Sequence, residues 1–279
     1  MNQLSTVRPC AVCGLFYPAG RNDVEQEVRT LLGTIQPRNI EGRVEGLIVP
    51  HAGYHYSGTT AAHAFAQLLG RTYRTVVIVS PSHREYFDGV SVYPGDGYAT
   101  PLGTVPVDTA LRSALERESE LVKPSIAGHG DEHAIEVQLP FLQCAIGQFM
   151  LVPIVMGDQR REYCFELGRA LNEVLGNDVL LVASSDLSHY YPATVADKLD
   201  RIIRDDVQSF NTEQLMQDLE VKRGEACGGG PIVAVMAALR LRGLHTMHVL
   251  HHCNSGDVTG ERQSVVGYLS AAACAVKPS

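Results

Sequence analysis

Three observations predict an α/β fold whose sheet is covered by helices on both faces. Short β-branched runs recur along the chain, each ending in Gly, Pro, Ser or His and each followed by a helical stretch. These runs are continuously apolar rather than alternating, as expected of strands buried on both sides. The 279 residues are 45% hydrophobic and 19% charged, a globular balance that excludes disordered and collagen-like chains.

The first strand is Val44–Pro50 (VEGLIVP), followed by His51-Ala52-Gly53-Tyr54-His55-Tyr56-Ser57-Gly58 and a helix expected from Thr59 to Leu69. Thr75–Ser80 (TVVIVS) is the second, running into Pro81-Ser82-His83. Val107–Arg117 has amphipathic helical spacing and belongs on the outside of the sheet. Phe149–Met156 (FMLVPIVM) and Val179–Ala183 (VLLVA) are two further buried strands, with the amphipathic helix Tyr163–Leu175 between them. Leu199–Leu219 carries acidic and basic residues among apolar ones at helical spacing. Gly228-Gly229-Gly230-Pro231 then opens an apolar helix, Ile232–Leu241, with Pro suited to a first turn because its missing N–H would be unpaired there. Met247–His251 and Ser264–Ala271 are the last strands, with a turn at Asn254-Ser255-Gly256-Asp257. No repeat, linker or composition shift divides the chain, so residues 1–279 read as a single domain.

The formal charge is −8 with no basic block, which argues against nucleic-acid and anionic-membrane partners. The opening residues lack an apolar signal region, and no apolar stretch approaches the roughly 18–20 residues of a membrane span. Seven cysteines, an odd number, suit reduced thiols. Together these features predict a cytoplasmic protein.

Three histidines fall just past the carboxyl ends of predicted strands: His51 after GLIVP, His83 after VVIVSPS and His189 after LLVASSDLS. Ligands of open α/β sheets bind at that edge, so three imidazoles delivered there point to chemistry. Cys227, before the glycine run and at the mouth of a helix, is expected to have a lowered pKa. Thiolate and neutral imidazole both suit a borderline metal, and two His plus one anionic ligand leave positions open for oxygen and substrate. In Asp186-Leu187-Ser188-His189, His189 reads as a general base with Asp186 fixing its tautomer or helping to hold the metal. Equally, Asp186 or Ser188 would cap a following helix. Ser184-Ser185 lacks the Gly-x-Ser-x-Gly turn of a serine nucleophile. His133 and Glu136, at i and i+3, share a helical face and suit a supporting or substrate-contacting role, as do Tyr54 and His55 beside His51.

Other features carry less. Cys10-x-x-Cys13 lacks a second ligand pair and a βαβ context, so it reads as incidental. His251-His252-Cys253 puts adjacent strand residues on opposite faces. His63 reads as ordinary helix surface.

Taken in order, RPCAVCGLFYP (Arg8–Pro18), PHAGYHYSG (Pro50–Gly58), Ser80-Pro81-Ser82-His83, EHAIEVQLPFL (Glu132–Leu142), SSDLSH (Ser184–His189) and Cys227-Gly228 resemble the Memo family, in its prokaryotic form described as AmmeMemoRadiSam system protein B. The resemblance covers nearly the whole chain. It implies a three-layer α/β/α sandwich with a mixed, largely buried sheet, similar to class III extradiol dioxygenases. It also implies His51 and His83 as metal ligands, with Cys227 where those dioxygenases place a carboxylate. His189 would be the acid/base residue, beside Asp186. The metal it implies is Fe(II) or copper, with zinc as a further candidate, and the chemistry redox. The system name implies AMMECR-type and radical SAM partners. Cys10 and Cys13 depart from the family's usual opening, where Pro and Ala are commoner.

The leading expectation is therefore a mononuclear metal-dependent oxidoreductase, dioxygenase-like, acting on a small substrate. A non-catalytic protein that keeps the pocket to bind a metal or peptide is the alternative. A zinc-assisted hydrolase is the third reading.

Overall fold

A computed structural model of the chain describes residues 6–275. In chain order the elements are β1 (Val7–Arg8), α1 (Arg21–Gly33), β2 (Arg43–Val49), α2 (Tyr54–Phe65), β3 (Thr75–Pro81), β4 (Val90–Val92), β5 (Gly97–Tyr98) and β6 (Val105–Pro106). There follow α3 (Thr109–Glu118), β7 (Val122–Pro124), α4 (Leu139–Ile146), β8 (Met150–Met156), α5 (Arg161–Val174), β9 (Val179–Ser184) and β10 (His189–Tyr191). The chain continues through α6 (Ala193–Gln208), α7 (Thr212–Glu220), α8 (Gly229–Leu241), β11 (Met247–Asn254), α9 (Ser255–Thr259) and β12 (Val265–Ala275).

Nine strands form a mixed sheet in the order β10-β12-β2-β9-β3-β8-β4-β7, with β11 also paired to β12. Its centre, β2-β9-β3-β8, is parallel throughout, and β12 and β4 join it antiparallel on either side. Strands β1, β5 and β6 make a small separate sheet. The continuous apolar runs are explained by two cores, one per face. Leu47, Val49, Val76, Ile78, Leu180 and Val182 face α1, α2 and α4. Ile48, Val77, Val79, Leu181 and Ala183 face α5, α6, α7 and α8. Side chains alternate across a strand, so a strand packed on both faces must be apolar at every position. The result is an α/β/α sandwich. Among the described residues no helix is long and apolar enough to cross a membrane.

Because β2, β9 and β3 are parallel neighbours, their carboxyl ends share one edge, with β9 between the other two. This order sets the spacing of everything that follows.

Several elements differ from expectation. Helix α2 begins at Tyr54, not Thr59, with Gly53 at its N-cap, and ends in a 3-10 turn at Ala66–Leu68. The helical spacing over Leu199–Leu219 belongs to two helices, because Phe210 turns back with a positive φ of 55° to reach the core and Asn211 caps the next helix through Gln214 N. His133 and Glu136 do not share a helix; His133 precedes the 3-10 turn Glu136–Gln138. Asn254-Ser255-Gly256-Asp257 is a capping box opening α9 rather than a bare turn. Sequence periodicity did not reveal α1, although its Val24, Val28 and Leu32 form a buried stripe.

Candidate metal centre

His51 leaves β2 after Pro50 and is buried. Its backbone N donates to Asp186 Oδ1 at 2.7 Å, and its ring Nδ1 meets Ser184 Oγ at 2.9 Å. His83 leaves β3 and is held by one carboxylate at two points. Its backbone N donates to Glu132 Oε2 at 2.6 Å, and its ring Nδ1 meets Glu132 Oε1 at 2.9 Å. The two rings stand edge to face with centroids 5.0 Å apart. His133 completes a group of three imidazoles, 5.3 Å from His51 and 4.8 Å from His83.

Cys227 approaches from the loop before α8. Its N–H donates to Asp186 O at 3.2 Å, and its carbonyl accepts from Gln159 Nε2 at 2.8 Å. Gly228 is required here, because a Cβ would collide with the Ser184 carbonyl oxygen and press on Ser185. The sulfur lies 3.1 Å from His51 Nε2. The donor atoms of His51, His83 and Cys227 all lie within 4.8 Å of one another, a grouping able to hold a metal ion.

His83, Glu132 and His133 meet the same distance limit. The Glu132 oxygens, however, are already engaged by His83 N, His83 Nδ1, His133 N at 2.9 Å and Ala134 N at 3.0 Å. The carboxylate therefore orients imidazole rather than competing for an ion. Burial opposes its charge, but the His83 ring and the neighbouring His133 hold its pKa down to about 2. Burial, and then the adjacent His83, pushes His51 well below the usual imidazole range. Burial and His51 bring His133 down to about 4. Both rings are therefore neutral near pH 7, as a metal ligand must be.

The expected low pKa of Cys227 is overturned. Burial, and then the charge of Asp186, pushes its thiol up. Hydrogen bonds from Ser185 and from the Gly228 N–H at the start of α8 pull the other way but weigh less than burial and Asp186. Gly228 N is shared with Ser185 Oγ, and Gly230 N is spent on Gln159 Oε1.

The remaining sequence candidates fall in different places. His189 lies on β10, paired with Val266, half-buried at the same edge, and close enough for its charge to depress His51. Its backbone N donates to Glu225 Oε1 at 3.3 Å. Asp186 is bonded to the His51 backbone, not to the His189 ring, and neither it nor Ser188 caps a helix. Tyr54 is a core residue: its hydroxyl donates to Val137 O, and its ring packs on Tyr17 and Phe141. His55 is exposed on α2. Glu136 turns away from the cluster to bind Arg8, the backbone of Ala11 and Val12, and Tyr17. His63 is not plain surface, since it stacks on His251 at 4.4 Å. His251 and Cys253 both meet Thr60, whereas His252 sits 3.6 Å from Asp200 on the other face. Cys10 and Cys13 are free thiols. Sequence reading missed Glu132, whose only local signal is an acid directly before His133.

Comparison with known proteins then places the chain. The family model described as Memo-like protein matches residues 8–272. A MEMO1 family protein of Methanothermobacter thermautotrophicus is 35% identical over 272 residues, 94% of this chain and 98% of the relative. One of Methanocaldococcus jannaschii is 36% identical over 285 residues, covering 96% and 99%. A third, from Thermotoga neapolitana, is 36% identical over 278 residues, covering 95% and 99%. Among solved structures, an uncharacterized protein of Escherichia coli K12 aligns with a TM-score of 0.53 at 16% identity. It covers 82% of this chain and 99% of its own, a likeness of fold alone.

Proposed function

The chain belongs to the Memo-like protein family, and from that premise we propose that His51, His83 and Cys227 form a mononuclear metal site for redox, dioxygenase-like chemistry on a small substrate. One observation carries the reading: two imidazoles, each occupied at Nδ1, and one sulfur converge at the carboxyl edge of a parallel sheet. The donor set fits. Imidazole and thiolate together suit Fe(II), copper or zinc, the softer sulfur favouring Cu(I) and zinc as much as Fe(II).

When bound, the ion would supply a Lewis-acidic centre with positions free for substrate and, for a redox metal, for oxygen. The chain's own residues do the rest. Glu132 keeps His83 in one orientation through two hydrogen bonds. His83 is the more exposed of the two histidines and marks the side from which a substrate enters. His189, half-buried and unattached to Asp186 through its ring, is the residue we assign to take and return a proton. His133, stacked on His83, is assigned to contact the substrate or to screen the site from water. The Cys227 thiol gives up its proton only against a compensating charge, which an ion provides. We read residues 1–279 as one Memo-like unit, supported by the match over 8–272.

The test is elemental analysis of protein purified without oxygen and without a polyhistidine tag, beside His51→Ala and Cys227→Ser. Near-stoichiometric iron or copper, lost in both variants, is the expected result. Oxygen uptake on adding a catechol, abolished in His189→Ala with the metal retained, would then establish the redox role. Metal indifferent to His51 and Cys227 would overturn the assignment, and bound metal with no turnover would favour a protein that only binds.

A further inference from the structure

Ser184 ends β9 between the two histidine-bearing strands, and Ser185 follows just outside the strand. Ser185 Oγ donates to Asp186 O and accepts from Gly228 N at 2.9 Å, so it holds the Cys227 loop. Ser184 Oγ has three partners: Ala134 O at 2.7 Å, Gln138 Nε2 at 2.9 Å and His51 Nδ1 at 2.9 Å.

The direction of each bond follows from what each atom can do. Gln138 Nε2 also lies 3.0 Å from Pro50 O, which only accepts, so the amide presents its NH₂ here and donates to Ser184. Ala134 O likewise only accepts, so it takes the single hydroxyl proton of Ser184. With that proton committed and one lone pair filled by Gln138, the remaining lone pair of Ser184 must accept from His51. His51 therefore carries its proton on Nδ1. The opposite tautomer would set two acceptor oxygens against each other at 2.7 Å in a fully buried place.

We infer that Ser184 is a positioning residue that fixes His51 as the Nδ1–H tautomer, leaving the Nε2 lone pair facing the Cys227 sulfur. This gives the serine pair a role other than nucleophile: its hydroxyl proton is already spent. The functional meaning rests on the metal-site reading, but the test does not.

Long-range ¹H–¹⁵N correlation of the metal-free protein, with the His51 signals assigned by their loss in His51→Gln, reports the tautomer directly. The wild type should show a protonated Nδ1 and an unprotonated Nε2. Ser184→Ala should shift His51 toward the Nε2–H form, which can donate to the Cys227 sulfur. Ser184→Thr, which keeps the hydroxyl, should retain the Nδ1–H form, and Ser185→Ala should not alter it. An Nε2–H wild type overturns the inference even if no serine variant folds. An unchanged tautomer in Ser184→Ala, or a shift in Ser185→Ala, overturns it as well. Titration with Co(II) alone, followed by its thiolate charge-transfer band, should then show about 10–100-fold weaker binding in Ser184→Ala. A wild type with the Nδ1–H tautomer but no Co(II) binding would remove the metal reading and leave the tautomer assignment standing. The Nδ1–H wild type with Co(II) bound equally by Ser184→Ala would overturn the positioning role.

Discussion

Glu132 and Glu136 stand four residues apart in one segment, both are buried, and both accept several hydrogen bonds. They differ in what lies at the other end of the bond. Glu136 pairs with Arg8, whose guanidinium also reaches the backbone oxygens of His129 and Glu132. A guanidinium has donors only, so that network closes on itself and does nothing but hold the N-terminal strap to the body. Glu132 pairs with imidazole. A ring held at Nδ1 still has its opposite nitrogen to use, and the His83 ring lies beside those of His51 and His133. The same acid at the same burial holds a guanidinium in one case and a ring of the candidate site in the other, and only imidazole can pass the constraint on.

The comparison breaks most readily at Glu136. Glu136→Ala leaves Arg8 charged and unpaired in the interior, a change that costs roughly 3–5 kcal/mol. Urea unfolding should register that loss, while metal stoichiometry per folded molecule stays as in the wild type. Loss of metal at full stability would show that Glu136, not Glu132, serves the site. Glu132→Gln should do the reverse. Metal affinity falls about 10–100-fold, measured by competition with a chromophoric chelator, because the amide cannot accept from every donor the carboxylate serves. Its cost in stability should be smaller, about 1.5–3 kcal/mol.

These two glutamates also show what the sequence makes legible. Continuous apolar runs locate the central strands, because a strand with helices on both faces has no polar side to show. Strand ends locate His51 and His83, because parallel neighbours must finish on one edge. Glu132 escapes notice because its partner His83 is 49 positions away, whereas the i, i+3 spacing drew attention to Glu136 on a helix that does not form. The Cys227 thiol was misjudged for a related reason. The helix start is visible locally, but the burial and the Asp186 charge that outweigh it come from elsewhere in the chain. Phe210 breaks a stretch of helical spacing because burial of one ring outweighs local propensity.

The segment before Glu132 sharpens the contrast by pH. His129 is buried beside Tyr98, Tyr93, Arg8 and Glu132, and burial brings its pKa down to about 3. The unfolded chain binds a proton at this ring near pH 6.5 and the folded protein does not. The contribution is therefore fully present above about 6.5 and is lost as pH falls toward 3. Glu132, with its pKa held to about 2, adds a second loss below its ordinary range. Thermal midpoints recorded between pH 7 and pH 4 should fall for the wild type and fall less steeply for His129→Asn. Equal slopes would mean that the folded protein protonates His129 as readily as the unfolded chain.

The smallest effect is expected where histidine and cysteine gather without converging. His63 and His251 stack at 4.4 Å with planes 6° apart, and Thr60 bridges His251 to Cys253. A ring nitrogen offers its lone pair in the ring plane, so two parallel, stacked rings cannot both aim at one ion. Their residue types match those of the centre, but their geometry does not. His63→Ala should therefore leave metal affinity unchanged and cost no more than about 0.5–1.5 kcal/mol for the lost stacking, read from the same chelator and unfolding curves. A second equivalent of tightly bound metal, lost in His63→Ala, would show that the rings rotate to accept an ion. Convergence of lone pairs would then be something the metal imposes here rather than something the fold prepares.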